Sequence, residues 1–109
     1  MKCPPELTEL LKTLYSLSPA ESEVFASLCS EEASVEELAE RLGKDRSTVQ
    51  RYLSSLQTAG LITRRPDTSP NRKGRKYVYY VPDKEELKVQ IKQRLEDWEE
   101  DKVSKLEEL

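Results

Sequence analysis

The chain has 109 residues, 36% hydrophobic and 36% charged, with a formal net charge of −3, which suits one domain around a modest core. It contains no histidine and only two cysteines, Cys3 and Cys29, far apart in sequence, so the usual general base, proton shuttle and clustered metal ligands are missing. The N-terminal stretch lacks the apolar region of a signal peptide, and no apolar run approaches the length of a membrane span, so a soluble, cytoplasmic protein with reduced thiols is expected.

Net charge conceals a strong asymmetry. Residues 1–40 carry two cations and nine acids, residues 41–80 ten cations and two acids, and residues 81–109 six cations and ten acids, for local charges of −7, +8 and −4. A basic centre between acidic flanks points to a localised polyanion-binding face.

In chain order, Leu7, Leu10, Leu11, Leu14 and Leu17 recur at helical spacing and predict an amphipathic first helix. Ser18, Pro19 and Glu21 form the start signal of a second helix, with Val24, Phe25 and Leu28 inward and Cys29 beside them. The same grammar recurs in "SVEELAERLG": Ser34 caps, Glu37 completes the box, Val35, Leu38, Ala39 and Leu42 form the stripe, and Gly43 stops the helix. After a very short turn, Asp45 caps a helix over roughly residues 46–59. Its Val49, Leu53 and Leu56 fall on one side, whereas Ser47, Thr48, Arg51, Ser54, Ser55 and Thr58 fall opposite, flanked by Arg46 and Gln50. A tight turn followed by a helix with small polar and cationic residues outward matches a helix-turn-helix.

"LITRR" and "KYVYYV" then predict two antiparallel strands around the loop "PDTSPNRKG". Arg72, Lys73, Arg75 and Lys76 gather at this hairpin, and Tyr77, Tyr79 and Tyr80 are expected to pack it onto the domain. From Asp83, with Glu86 in the capping-box position, one long polar helix runs to the C-terminus; Leu87, Ile91, Leu95, Trp98, Leu106 and Leu109 lie within one arc, interrupted by Lys102. The fold class is therefore mainly α with a small β-hairpin.

The stretch "SVEELAERLGKDRSTVQRYLSSLQTAGLITRR" followed by "GRKYVYYV" resembles the winged helix-turn-helix transcriptional regulators of the MarR, ArsR and TrmB-like type, small archaeal members in particular. The likeness covers roughly residues 19–82. It implies a recognition helix in the major groove and a wing on the backbone or minor groove. Carried over by position, Arg46, Ser47, Thr48, Gln50 and Arg51 would meet DNA from the recognition helix, and Arg72, Lys73, Arg75 and Lys76 from the wing. Arg and Gln suit base edges, whereas Ser and Thr suit phosphates. Ser34, capping the preceding helix, would place backbone amides near a phosphate.

The resemblance also implies a homodimer. The long helix exceeds what a small domain can cover, so its stripe (Leu87, Ile91, Leu95 and Trp98), with Leu7, Leu10, Leu11 and Leu14 of the first helix, is expected to form the dimer interface. This divides the chain into an N-terminal helix (1–18), a DNA-binding domain (19–82) and a dimerisation helix (83–109). The function expected is a homodimeric, sequence-specific regulator of transcription that binds double-stranded DNA, with no cofactor, metal or membrane partner and no effector identified. The alternative is a winged-helix protein-interaction module. No nucleophile, phosphate loop or carboxylate pair supports an enzyme.

Overall fold

Capping chemistry sets where each helix of the central domain begins. In the computed structural model, which describes residues 4–68 and 76–109, α1 spans Pro5–Tyr15, α2 Pro19–Ser30, α3 Val35–Leu42, α4 Arg46–Thr58 and α5 Lys84–Leu106, with strands β1 (Thr63–Pro66) and β2 (Tyr77–Tyr80) between α4 and α5. At α2 the Ser18 hydroxyl accepts from the Glu21 N–H at 3.1 Å while the Glu21 carboxylate accepts from the Ser18 N–H at 2.8 Å. Ser34 and Glu37 repeat this reciprocal pair at α3. These bonds satisfy amides that a helix start otherwise leaves unpartnered. The expected box at Asp83 and Glu86 takes another form: the Asp83 carboxylate accepts from the Glu85 N–H instead.

Gly43 closes α3 in the left-handed region at φ +65°, and α4 begins three residues later. Gly60, at φ +79°, turns the chain out of α4 toward β1. A side chain there would also meet the Gln90 amide nitrogen at 3.2 Å. That amide donates to the Ala59 carbonyl and to the Tyr15 hydroxyl, joining α5 to α4 and α1. Arg94, one turn further along α5, donates to the Leu14 carbonyl and lies over the Tyr15 ring.

The core is a single cluster in which Val24, Phe25, Leu28, Leu38, Val49, Leu53, Leu56 and Leu61 meet Leu11 from α1, Tyr79 from β2 and Leu87 from α5. Cys29 is a buried thiol of the same cluster, and Cys3 lies outside the described residues. The strands pair antiparallel, with Thr63 opposite Tyr80 and Arg64 opposite Tyr79. Ala33 adds a one-residue third strand, exchanging backbone hydrogen bonds with Tyr79 at 3.1 and 2.8 Å.

The first turns of α5 lie on the domain, but every residue from 96 onward is exposed. The helix therefore projects, and the molecule measures 59 × 27 × 22 Å.

The Glu21 cap carries a pH signature. Burial pushes its carboxyl up, but hydrogen bonds from the Ser55 hydroxyl and from the Ser18 amide and hydroxyl outweigh it, leaving the folded value below the ordinary 4.5. A lowered folded value adds stability above the unfolded value and loses it as pH falls toward the folded one. Glu21→Gln should therefore unfold at lower urea than the wild type at pH 7, and the gap should close as titrations approach pH 3.

Candidate nucleic-acid interface

The helix-turn-helix buries one side of α4 and leaves the other to solvent. Val49, Leu53 and Leu56 are fully buried against α2 and α3. Arg46, Ser47, Arg51, Ser54 and Thr58 are exposed, so the outward face is built of small polar residues around two arginines, whereas Ser55, also exposed, turns its hydroxyl to Glu21 of α2. Asp45 anchors the helix start by accepting from the Thr48 N–H at 2.7 Å, and hydrogen bonds from the Thr48 hydroxyl and amide hold its carboxyl below the ordinary carboxylate range. Thr48 itself is half-buried. Among the described residues Arg51 has no close ion pair; it stands exposed on the outward face, and its charge helps to hold the Asp45 carboxyl down.

The wing is fixed to this helix through one buried phenol. Tyr79 is 1% exposed, and its hydroxyl accepts from the Gln50 amide at 3.2 Å and from the Arg64 guanidinium at 3.3 Å. Gln50, predicted as a free contact residue, is thus half-buried at the edge of α4 that faces the hairpin. Arg64 also lies 4.0 Å above the Tyr77 ring centre. Arg65 alternates to the other face of β1, where it lies over Tyr80 and pairs with Glu32. The strand period thus separates two adjacent arginines whose directions sequence alone left open.

A second link is ionic. Glu36, on the first turn of α3, lies 3.3 Å from Arg46 Nε and 3.9 Å from Lys76 Nζ, so one carboxylate touches the start of α4 and the base of the wing. Glu31 similarly lies 3.7 Å from Arg41, which also donates to the Ser27 hydroxyl. Tyr79 packs as expected of the hairpin tyrosines, but neither the partners of its hydroxyl nor Glu36 as a bridge was singled out in the sequence. Both depend on contacts between residues 29 and 40 positions apart, which no local pattern encodes.

Several expected site residues fall elsewhere. Ser34 is 0% exposed, its amide and hydroxyl are both used in the capping box, and Glu36 and Glu37 occupy the first turn of α3. A phosphate at that helix end would meet two carboxylates, and in the fold Ser34 serves as a helix cap. Arg72, Lys73 and Arg75 lie outside the described residues; Lys76 is half-buried at the hairpin base.

The expected dimer residues divide in the same way. Leu11, Leu14 and Leu87 are 1%, 5% and 5% exposed within this chain, which removes them from an intersubunit surface. A domain this small uses α1 and the first turn of α5 to close its own core. Leu7 and Ile91 pack at the core's edge, Leu10 and Leu95 are half-buried, and Trp98 is 38% exposed. Leu106, at 64%, continues the exposed apolar side of α5, whereas Val103, at 48%, lies among Glu96, Glu99, Glu100 and Glu107.

The helix-turn-helix followed by a hairpin that packs against its second helix defines a winged-helix protein. Residues 11–85 match the family described as the sugar-specific transcriptional regulator TrmB, and the chain belongs to that family. Uncharacterized protein MJ1082 of Methanocaldococcus jannaschii is 37% identical over 93 residues, covering 84% of this chain and 76% of the relative. Uncharacterized protein MJ1503 of the same archaeon is 41% identical over 64 residues, covering 59% of this chain and 48% of the relative. Among solved structures, a possible transcriptional regulator from Methanosarcina mazei superposes with TM-score 0.76 at 23% identity, covering 92% of this chain and 85% of that one. The ST1889 protein of Sulfolobus tokodaii gives 0.69 at 19% identity, covering 86% and 92%. The two solved structures share the fold. The family is one of transcriptional regulators and not of enzymes, in agreement with the sequence. No helix among the described residues is long and apolar enough to cross a membrane.

The Tyr79 hydroxyl can be tested alone. Tyr79→Phe keeps the buried ring but leaves the Gln50 and Arg64 donors without their acceptor, which should cost about 1 kcal/mol of stability. The measurement is a urea titration followed by circular dichroism, with the native helical signal retained.

Proposed function

We propose that this chain is a homodimeric transcriptional regulator that binds specific sequences in double-stranded DNA. Residues 46–59 would lie in the major groove and the wing, residues 66–76, on the backbone or minor groove. The observation that carries this reading is the outward face of α4. It presents Ser47, Arg51, Ser54 and Thr58 without a single large apolar residue, beside a hairpin rich in cations. Such a face has no core to cover, and its small side chains permit close approach while Arg51 reaches base edges.

The family match lies on the winged-helix region, so it supports a reading of DNA more than one of a sugar. The twofold partner would be recruited by the projecting half of α5, where Trp98, Val103 and Leu106 are exposed on a helix with little of its own domain beneath it. A dimer would set two recognition helices on successive turns of a pseudo-palindrome.

Selection of bound duplexes from a random pool, with the mass of the free protein measured in the same preparation, tests all of this. A twofold-symmetric site and a dimeric mass are expected. A monomer that enriches no duplex would instead favour the protein-interaction module.

Two further measurements resolve the contacts. If about six phosphates are neutralised, log affinity should fall with log salt at a slope near −5. Arg51→Ala should cost about 1–3 kcal/mol on the selected site and little on random duplex. Lys73→Ala should weaken both alike. Equal losses on both duplexes for the two variants would refute the division between base and phosphate contacts.

A further inference from the structure

We infer that Glu36 is a built-in counter-charge that limits how tightly the proposed interface holds any duplex; the inference rests on the DNA-binding reading above. Its carboxylate lies 3.3 Å from Arg46 and 3.9 Å from Lys76. Those cations come from α4 and from the wing, the two elements that would touch DNA on either side of it. A phosphate bound by either cation would therefore sit within roughly 7 Å of the carboxylate, inside the Debye length of about 10 Å at 0.1 M salt. The repulsion is not screened away, and it persists whether or not the ion pairs survive binding.

Glu36 differs from the other acids named above in meeting a cation of α4 and one of the hairpin at once. Glu21 and Glu37 are spent in capping boxes, and the carboxylates of α5 beyond residue 95 stand on the projecting helix. Glu36 is only 36% exposed in its side chain and is shared between two cations that otherwise have no acid among the described residues. Arg51, in contrast, has no close ion pair among the described residues and feels only the Coulombic reach of the Asp45 cap. The two cations at the flank, where contacts with the backbone would fall, are thus paired directly, whereas the one best placed for base edges is not. Placement on the first turn of α3 favours an acid for the helix itself, yet Glu37 already supplies one there. The helix start does not require a second carboxylate turned toward α4 and the wing.

Removing this charge should tighten DNA binding, the reverse of the usual effect of a substitution at an interface. Binding of the full chain to a random-sequence 20-base-pair duplex would be measured by fluorescence anisotropy between 50 and 200 mM salt, for wild type, Glu36→Gln, Glu36→Ala and Glu36→Asp. Glu100→Gln, on the projecting half of α5, makes the same change in net charge far from the interface. Gln and Ala at position 36 should each tighten binding about 3- to 10-fold at 50 mM salt and steepen the salt slope by about 0.9, one further phosphate neutralised. Asp at position 36 and Gln at position 100 should stay within about twofold of wild type. Misfolding would weaken binding, so it does not mimic the expected gain.

Unchanged or weaker binding by both neutral variants overturns the inference, as does equal tightening by Glu100→Gln, which would reduce the effect to net charge. Wild type bound to duplex with no gain in the variants overturns this inference alone. A set in which every protein ignores duplex DNA overturns the DNA-binding reading together with it.

Discussion

Tyr79 joins three parts of the domain that sequence keeps apart. Its backbone exchanges two hydrogen bonds with Ala33 between α2 and α3, its ring is buried in the core, and its hydroxyl receives Gln50 of α4 and Arg64 of β1. A two-stranded hairpin alone is marginal in water. Here β2 gains a third strand on one edge and a hydrophobic floor beneath, so the wing acquires a fixed base. The phenol oxygen is the polar end of an otherwise apolar anchor, and burial obliges it to find partners. Those partners are side chains at the margins of the proposed DNA-binding face. The position of the wing relative to α4 is therefore a consequence of core packing.

The same constraint explains why the helices were legible in the sequence and the site only partly so. Helix starts are written in four adjacent residues, and Ser18, Glu21, Ser34, Glu37 and Asp45 do what their spacing predicts. The inward stripes of α2, α3 and α4 follow from period alone. What escaped reading is long-range. Gln50 looks like an exposed polar residue on a helical wheel until Tyr79 occupies its amide. Arg64 and Arg65 are identical in sequence terms and diverge because one strand face meets α4 while the other meets Glu32. Leu11, Leu14 and Leu87 read as a surplus apolar stripe, and only packing reveals that the small central domain needs them. Ser34 caps its helix as read, and the acids beside it, Glu36 and Glu37, change what that helix end attracts.

Charge is organised on the scale of these contacts. A net value of −3 says little about partners, since exposed charges more than a Debye length apart scarcely sense each other. Within that distance the arrangement is specific. The carboxylates of Glu31, Glu32 and Glu36 line the edge formed by the end of α2 and the start of α3, and each meets a cation from the adjoining α3, α4 or hairpin. Exposed pairs of this kind contribute little to stability, typically below about 1 kcal/mol. Their consequence lies in the charge they leave at the surface, where Arg51 stands exposed with no close ion pair among the described residues.

The long helix brings both themes together. Leu87, Gln90, Ile91 and Arg94 fasten its first turns to α1 and to the end of α4, so its direction is set by the same core that sets α4. Beyond residue 95 it has no support of its own. A helix of 23 residues extends about 34 Å, and isolated helical segments of this length gain most of their stability from packing an apolar side. Trp98 and Leu106 supply such a side with little cover in this chain. If a second copy provides that cover, the separation of the two α4 helices is determined by the angle at which α5 leaves Gln90 and Arg94. Contacts far from the DNA-facing surface would then fix the spacing of the half-sites that surface reads.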